Sequence, residues 1–217
     1  RGLVGSEMCI RDRGWTECTI TVSNSLDEYL IQDLWMQDAK IDAFGVGERL
    51  ITAKSEPVFG CVYKLVAVED KDGNIVPKIK ISENVGKITT PHFKKLYRFY
   101  GRDTGKAIAD YLTVYDETVD DSQNLEIFDP DATWKRKEVY HFEARELLVP
   151  IYQKGKLVYK RPDIEEIKKY CAEQVDTLWD EVKRFDNPHN YYVDLSQKLY
   201  DIKTELLNEK NERYEKN

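Results

Sequence analysis

The feature that most constrains the fold is a pair of glycines, Gly45 and Gly47, in the stretch IDAFGVGERLIT at residues 41–52. They end a short, β-like apolar run and precede a segment compatible with a helix. Glycine carries no Cβ and tolerates positive φ, so a ligand can approach the backbone closely there. A helix beginning after Gly47 would also direct free N–H groups at that point, which suits a phosphate. By itself, this short pattern more often marks a plain strand-to-helix turn.

The residues before the glycines predict a strand–helix–strand unit. Residues 18–23 (CTITVS) are mostly β-branched or apolar, which is typical of a strand. Ser25 and Glu28 have the spacing of a capping box, and apolar residues then recur at helical intervals as far as Trp35. A second strand is predicted at residues 39–44. Two strands joined by a helix in so short a segment indicate a βαβ unit, whose strands are parallel.

Both predicted strands end in small or polar residues. Ser23 and Asn24 end the first, and Gly45, Val46 and Gly47 end the second. Neighbouring parallel strands bring their C-terminal loops to one edge of the sheet, and in (β/α)8 barrels the loops after the last two strands often hold a phosphate. These five residues are therefore the candidate phosphate-binding residues.

Other basic side chains are weaker candidates. Lys64 follows the second loop, where its ammonium group would suit a pyrophosphate oxygen, but a lysine in a strand is more often a solvated edge residue. His92 is expected in a surface loop and His141 on a strand face. A basic group after His92 would form either a patch for an anionic ligand or, more commonly, a solvated face; its members are Lys94, Lys95 and Arg98.

Charge and cysteine usage exclude several kinds of partner. The 217 residues carry a formal net charge of −7, which argues against a general nucleic-acid or anionic-membrane binder. No apolar run reaches the length that a membrane span requires. The histidines lack metal-ligand spacing, so no metal site is predicted. Scattered cysteines without a C-x-x-C pair predict a reduced, cytoplasmic protein; they are Cys9, Cys18, Cys61 and Cys171.

Beyond the glycines the pattern predicts a small, largely antiparallel β region. One hairpin is expected around the Asp-Gly turn at residues 70–74, and another around residues 101–105. Residues 119–131 are acidic and turn-rich, as in an exposed loop. The expected extended segments are residues 60–69, 77–81, 94–100, 106–115, 138–152 and 157–160.

Two helices are predicted to close the sequence, at residues 163–185 and about 195–214. The first follows Pro162 and has acidic residues early and basic residues late, which matches the helix dipole. Both carry an apolar stripe that is expected to form core rather than a groove for a partner. The stripes consist of Ile164, Ile167, Cys171, Val175, Leu178 and Val182, and of Leu195, Leu199, Ile202, Leu206 and Leu207.

Several blocks, taken in order, resemble a known family. Residues 42–47 (DAFGVG) are followed by PVFGCVYKLVAVE at residues 57–69, and the likeness extends from about Thr16 onward. The combined order is far more specific than the glycine pattern. On these residues the chain resembles the C-terminal part of nicotinate phosphoribosyltransferase. The further matching blocks are residues 77–82, 87–91, 145–159 and 187–207.

The resemblance implies a reaction and a fold. The family makes nicotinate mononucleotide, in NAD biosynthesis, from nicotinate and phosphoribosyl pyrophosphate. ATP hydrolysis is coupled through a transient phosphohistidine, with Mg²⁺ in the full-length enzyme. The family fold is an irregular α/β barrel with a second domain built from both chain ends, and members are commonly homodimers. This chain would supply the last βαβ unit of the barrel, a small antiparallel β domain and two C-terminal helices.

The resemblance also assigns the two loops to the 5′-phosphate of the ribosyl substrate and product. Ser23 and Asn24 would line one side, and Gly45, Val46 and Gly47 the other. No motif here matches the residues that bind the nicotinate ring, carry the phosphohistidine or hold ATP. In the family these lie on the N-terminal part, so no catalytic residue is assigned and the chain alone is expected to be inactive.

Two residues depart from the family pattern. Glu48 stands where a threonine is expected, and an ionised carboxylate repels a phosphate, so Glu48 is expected to point away, toward Arg49. Any hydroxyl contact at this position is lost, whereas backbone N–H contacts would remain. Cys61 replaces an expected glycine, with a consequence for packing rather than chemistry.

Two other functions compete with this interpretation. The first is another barrel enzyme with a phosphate site at the same loops, such as a nicotinamide or quinolinate phosphoribosyltransferase. The continued block order argues against it. The second is a non-catalytic binding module built on the antiparallel sheet, which would have no need of the βαβ unit.

The resemblance and the change of pattern divide the chain into four segments. Residues 1–13 show no period, cap or family match and are expected to be a non-native leader rather than a genuine frayed terminus. Because the family match then starts abruptly within the barrel, the chain is interpreted as a fragment. Residues 14–60 would form the end of the barrel with the phosphate-binding loops. Residues 61–160 would form the β-rich region, and residues 161–217 the C-terminal helices.

Deleting residues 1–13 should therefore leave the thermal unfolding midpoint unchanged. Loss of packed structure would lower the midpoint by about 2–4 °C for each 1 kcal/mol in a chain of this size. Thermal unfolding of the full and shortened chains, followed by circular dichroism, measures the difference, and a fall of several degrees would contradict the leader assignment.

Overall fold

A four-stranded sheet lies at the centre of the longer of two units into which the chain divides. In this computed structural model the described residues are Ile10 and residues 12–215, and the units are Arg1–Val62 and Tyr63–Asn217. Most of the predicted leader, residues 1–13, lies outside the described residues. Within the part described, no helix has the length and apolar character needed to cross a membrane.

Strands and helices of the described residues are numbered in chain order. The strands are β1 (Thr21–Ser23), β2 (Ala43–Gly45), β3 (Ala67–Glu69), β4 (Ile75–Pro77), β5 (Lys94–Gly101), β6 (Ala107–Val114), β7 (Leu125–Phe128), β8 (Arg136–Val139), β9 (Phe142–Glu146), β10 (Tyr152–Gln153), β11 (Lys156–Leu157) and β12 (Val193–Leu195). The helices are α1 (Glu28–Met36), α2 (Glu48–Ile51), α3 (Ile164–Thr177), α4 (Asp180–Lys183) and α5 (Gln197–Glu215), with a 3₁₀ turn at Val85–Lys87.

The first unit contains the predicted strand–helix–strand arrangement. Strands β1 and β2 pair in parallel, as predicted, and α1 connects them. Both strands are shorter than predicted. One reason is that the Asp42 carboxylate accepts the N–H of Ile20 at 2.6 Å, where a regular ladder would continue. Helix α1 lies against β2 through an edge-to-face contact of Trp35 with Phe44.

Helix α1 is capped by Asp27, so the predicted cap at Ser25 is wrong. The Asp27 carboxylate accepts the N–H of Leu30 at 2.9 Å. Asn24 and Ser25 instead have positive φ, 93° and 51°, and turn the chain from the strand toward the helix. Asparagine tolerates this left-handed conformation better than most residues.

The main sheet of the second unit has the order β12-β6-β5-β9. The predicted hairpin of β5 and β6 is confirmed, and β9 pairs antiparallel with β5. Strand β12 was missed, because the sequence interpretation began the last helix at Leu195. It pairs in parallel with β6, so the sheet is mixed. The N–H of Ser196 donates to the carbonyl of Leu112 at 2.8 Å and extends this pairing to the start of α5.

Three two-stranded antiparallel sheets complete the second unit: β3 with β4, β7 with β8, and β10 with β11. The first confirms the predicted turn at residues 70–74, and the last pairs the ends of the expected extended segments 138–152 and 157–160. Strand β7 corrects the expectation of an exposed loop at residues 119–131, because Ile127 and Phe128 are buried. The high content of turn-forming acidic residues concealed these four strand positions.

Aromatic side chains form the main core of this unit. Phe99 and Phe142 are fully buried with ring centroids 4.7 Å apart, and Tyr111 lies 5.3 Å from Phe99. A second cluster joins α5 to the sheet through Val114, Leu195 and Leu199. Side chains of this size dominate core energetics because each removes a large apolar area from water.

Helix α3 corrects two further predictions. It ends at Thr177, because the ammonium group of Lys106 binds the carbonyl of Asp176 at 2.7 Å and the Trp179 indole N–H donates to the carbonyl of Ala107 at 3.1 Å. The remainder of the predicted helix is the short α4. The predicted core-forming stripe of α3 is not buried within this chain: Ile164 is 66% exposed.

Asp194 is a buried carboxylate at the centre of β12. It is 3% exposed and accepts no hydrogen bond within the described residues. Burial, followed by the nearby carboxylate of Asp129, raises the pKa of Asp194 to about 6, although Lys137 opposes this effect. Because the unfolded chain ionises at lower pH, Asp194 disfavours the folded state as the pH rises between about 4 and 6.

The Asp194→Asn variant should therefore be stabilised relative to the wild type at pH 7 but not at pH 4. The difference between the folded and ordinary pKa values corresponds to at most about 3 kcal/mol at pH 7. Asp116→Asn is the matched control, since the hydrogen bond from Lys198 lowers the pKa of Asp116 and its loss should not stabilise the protein. Urea unfolding at both pH values tests this; equal effects of Asp194→Asn at pH 4 and pH 7 would contradict it.

Candidate functional site

The candidate site lies in the first unit, where β1 and β2 end. The parallel register pairs Ser23 with Gly45, so the two following loops start side by side. A small cavity of about 200 Å³ lies between the loops. It is lined by Asn24, Ser25, Leu26, Gly45, Gly47, Glu48 and Arg49. Of the five predicted phosphate-binding residues, Asn24, Gly45 and Gly47 therefore line the cavity, whereas Ser23 and Val46 flank it.

The two glycines have different structural roles. A Cβ built on Gly45 would lie 3.1 Å from the Cβ of Ser23, which is tighter than most Cβ contacts in proteins. Glycine at position 45 thus favours the close approach of β1. Apart from its two chain neighbours, a Cβ on Gly47 would meet no atom of the described residues within 4 Å. The space beside Gly47 is open, so only a bound molecule would compete with a side chain there.

Backbone N–H groups of the second loop are free to bind a ligand. The N–H groups of Gly47, Glu48 and Arg49 donate to no acceptor within the described residues, whereas that of Leu50 donates to the Gly47 carbonyl at 3.1 Å. Free, successive N–H groups in a loop favour an anion. The first loop adds the side-chain amide of Asn24, whose NH₂ group is a further donor.

An ion pair connects the two loops. Nη1 of Arg49 donates to Oδ2 of Asp27, and both side chains are about three-quarters buried, with exposures of 28% and 23%. The same carboxylate caps α1 through its other oxygen. The N–H of Leu30, followed by Arg49, holds the pKa of Asp27 below its ordinary value, so the carboxylate is charged at neutral pH.

Glu48 does not form the expected contact with Arg49. It was expected to turn toward Arg49, but the ion pair of Arg49 is with Asp27. Glu48 lines the cavity, and its carboxylate has no cationic partner within the described residues. The physical reason is that Asp27 offers Arg49 a partly buried site in which its charge is less screened than it would be at Glu48.

The remaining sequence-predicted basic groups lie in the second unit. Lys64 is exposed and forms no ion pair among the described residues. His92 corrects the expectation of a surface loop histidine: it is buried, has φ of 77° and stacks on Tyr115.

The basic residues after His92 form neither a ligand patch nor a solvated face. The Lys94 ammonium donates to three loop carbonyls, those of Thr90, Pro91 and His92, at 2.8–3.2 Å. Burial lowers the pKa of Lys94. Lys95 donates to the carbonyl of Glu117 at 3.0 Å.

Arg98 forms a two-point ion pair with Asp110, with donor–acceptor distances of 2.7 and 2.9 Å. All three cations of this group are thus bound within the unit. Positions alone could not reveal this, because their partners lie on other strands and loops.

A larger cavity of about 420 Å³ in the second unit was not predicted. Its walls include the β5–β6 turn, β8 and the segment around Trp179. His141 lies in this wall with φ of 48°, and its Nε2 is 3.1 Å from Oδ1 of Asp103. It is therefore not on a strand face, as had been expected. The walls are distant in sequence, as the 72 positions between Trp179 and Ala107 illustrate.

The described residues hold no cluster of three or more His, Cys, Asp or Glu side chains arranged to bind a metal. Sequence reasoning missed Asp27 as a member of the site. Its signal was present, since an aspartate three residues before Leu30 satisfies the spacing of a helix cap as well as Ser25 does.

Comparison with known proteins gives relatives over most of the chain. The family model described as the nicotinate phosphoribosyltransferase C-terminal domain matches residues 93–203. The chain is 41% identical over 204 residues to the nicotinate phosphoribosyltransferase of Bacillus subtilis (strain 168), covering 94% of this chain and 41% of that protein. It is 36% identical over 184 residues to the Caenorhabditis elegans protein of the same name, covering 84% and 32%. The chain thus spans less than half of these relatives.

The fold is similar to that in the crystal structure of human nicotinic acid phosphoribosyltransferase. The TM-score is 0.65 at 21% sequence identity, and the match covers 94% of this chain and 38% of that chain. At this identity the likeness concerns the fold alone.

The different surroundings of the two glycines lead to a prediction about stability. Gly45→Ala should destabilise the β1–β2 pair by about 1–3 kcal/mol, because its Cβ would crowd Ser23. Gly47→Ala, the matched control, meets open space and should change the stability little. Hydrogen exchange of the β1 and β2 amides measures local opening, and equal exchange in both variants would contradict the structural role of Gly45.

Proposed function

The chain belongs to the nicotinate phosphoribosyltransferase C-terminal domain family, and from this premise we propose that it is part of an enzyme that makes nicotinate mononucleotide. The substrates would be nicotinate and phosphoribosyl pyrophosphate, with consumption of ATP, and the product would enter NAD biosynthesis. We further propose that the loops after β1 and β2 hold the 5′-phosphate of the ribosyl group.

The observation that carries this proposal is the cavity between the two loops. Its volume of about 200 Å³ corresponds to about six or seven water molecules, which suits a phosphate with part of a ribose. The hydrogen-bond donors available at the cavity are the backbone N–H groups of Gly47, Glu48 and Arg49 and the side-chain amide of Asn24. Such donors would bind phosphate oxygens without a net positive charge. This is consistent with a chain whose net charge is −7.

Glu48 reduces the affinity of this site in the proposed mode of binding. Glu48 lines the cavity, and the only cationic side chain that lines it, among the described residues, is paired with Asp27. Repulsion between two unit charges a few ångströms apart in a solvated site costs about 1 kcal/mol of binding free energy. Replacing Glu48 by a threonine, with its hydroxyl donor, should therefore strengthen phosphate binding several-fold.

The finer architecture belongs to the same proposal. Residues 14–60 would be the last βαβ unit of an irregular α/β barrel, residues 61–160 a β-rich domain and residues 161–217 its helices. The parallel β1–β2 pair supports the first assignment. Ser23, Val46 and Lys64 remain proposed contributors to phosphate binding in the complete enzyme.

Magnesium, a homodimer and a cytoplasmic location are implied by the family resemblance. The described residues hold no cluster of three or more His, Cys, Asp or Glu side chains suited to a metal, and in the proposal Mg²⁺ belongs with ATP in the full-length enzyme. The exposed, unpaired thiols of Cys18, Cys61 and Cys171 support a reducing compartment. A homodimer would be tested by the mass of the complete enzyme in solution.

The alternative functions are less well supported. A nicotinamide or quinolinate phosphoribosyltransferase would use similar loops, but the family match over residues 93–203 favours the nicotinate enzyme. A non-catalytic module on the main sheet would not account for the cavity of the first unit.

Gly47→Val should weaken the binding of ribose 5-phosphate and nicotinate mononucleotide by about 100-fold or more. The side chain would occupy the open space beside Gly47 and displace two charge-assisted hydrogen bonds of about 1.5–3 kcal/mol each. Amide chemical shifts of the ¹⁵N-labelled chain, titrated with each ligand, give the dissociation constants.

Three controls accompany this titration. Glu48→Thr should bind more tightly, and glucose 6-phosphate tests whether any sugar phosphate suffices. Lys64→Gln tests the further candidate. Normal binding by folded Gly47→Val would show that the phosphate lies elsewhere.

A further inference from the structure

The ion pair of Asp27 with Arg49 joins the two loops beyond the point where β1 and β2 pair. A second contact, from the Ser55 hydroxyl to the Glu28 carboxylate, joins α1 to the segment after α2. Asp27 and Arg49 are 22 positions apart, and each belongs to a different loop of the cavity. Asp27 follows Asn24, Ser25 and Leu26 of the first loop. Arg49 follows Gly47 and Glu48 of the second.

We infer that Asp27 and Arg49 are positioning residues, which hold the two loops at the separation needed to bind a phosphate monoester. This inference rests on the proposed function of the cavity and adds two residues to it. Neither side chain needs to touch the ligand, because the ion pair acts through the backbone of the loops.

The geometry makes Asp27 a rigid anchor for the pair. One carboxylate oxygen accepts the N–H of Leu30 at 2.9 Å, which ties Asp27 to the first turn of α1. The neighbouring Leu26 is 3% exposed and fixes the chain just before the helix. The second oxygen binds Arg49, so the ion pair holds the second loop in place relative to α1.

Burial of the pair strengthens this connection. With exposures of 28% for Arg49 and 23% for Asp27, both side chains are mostly removed from water. Exposed ion pairs contribute little, but partly buried ones are less screened. By contrast, the pair of Lys40 with Asp38 is local, with exposures of 46% and 84%, and does not connect the loops.

The affinity of the Asp27→Asn variant distinguishes a positioning role of the ion pair from a simple effect of charge. If Arg49 served the phosphate only as a positive charge, neutralising Asp27 would free that charge and remove a repulsive carboxylate. Asp27→Asn would then bind the phosphate more tightly. If the pair acts by holding the loops, the same variant binds more weakly. Asparagine caps helices about as well as aspartate, so α1 itself should be preserved.

The test is a titration of the ¹⁵N-labelled chain and its variants with ribose 5-phosphate. Asp27→Asn and Arg49→Gln should each weaken binding about tenfold, as expected for losing a charge-assisted hydrogen bond. The double variant should bind no more weakly than either single one, because both remove the same connection. Arg49→Lys should recover part of the affinity, and Lys40→Gln should bind like the wild type.

Affinity in Asp27→Asn that is equal to or above that of the wild type would overturn the inference. If the wild-type chain itself binds no ribose 5-phosphate, the proposed function fails. The amide spectra without ligand then test whether the Asp27–Arg49 ion pair holds the two loops together. Arg49→Gln should then shift the amides of Asn24 and Ser25 in the opposite loop, and Asp27→Asn those of Gly47 and Glu48. Shifts confined to each variant's own loop would overturn the inference in that case too.

Discussion

Parallel hydrogen bonding between β1 and β2 is the interaction on which the candidate site depends. The register places Ser23 beside Gly45, and a slip of one residue would turn every side chain of the strand to the other face. The Cβ of Ser23 would lie 3.1 Å from a Cβ at residue 45, so glycine there favours this approach. Once the strands are paired, both loops must leave from the same edge, and the cavity between them follows.

Which charges are available to a ligand at the cavity depends on how the charged side chains pair, not on how many there are. Asp27, Glu48 and Arg49 are all near the cavity, but the arginine is bound to Asp27. The free donors are therefore backbone N–H groups, whose direction is determined by the loop conformation. An anion would be recognised by geometry in a protein with a net charge of −7. This places a strong requirement on loop separation, which the Asp27–Arg49 pair meets.

The second unit uses its cations for internal structure. Lys94 binds three carbonyls, and Arg98 pairs with Asp110 on the neighbouring strand. Tyr191 donates to the same Asp110 carboxylate at 3.1 Å, and this connects the sheet to the segment before β12. The aromatic core around Phe99 lies on the same sheet. The lysines and the arginine that the sequence suggests as a basic surface therefore contribute to the internal packing of the second unit.

Local chemistry in the sequence determined the strand–helix–strand unit, the β5–β6 hairpin and the two glycines of the loop. Period, turn residues and helix-forming segments act over a few residues and can be read without a structure. Tertiary structure alone decided that β12 pairs with β6, that the α3 stripe stays exposed and that Arg49 binds Asp27 rather than Glu48. Each depends on a partner distant in sequence, and the lower-energy pairing is selected only when the folded chain brings the competing partners together.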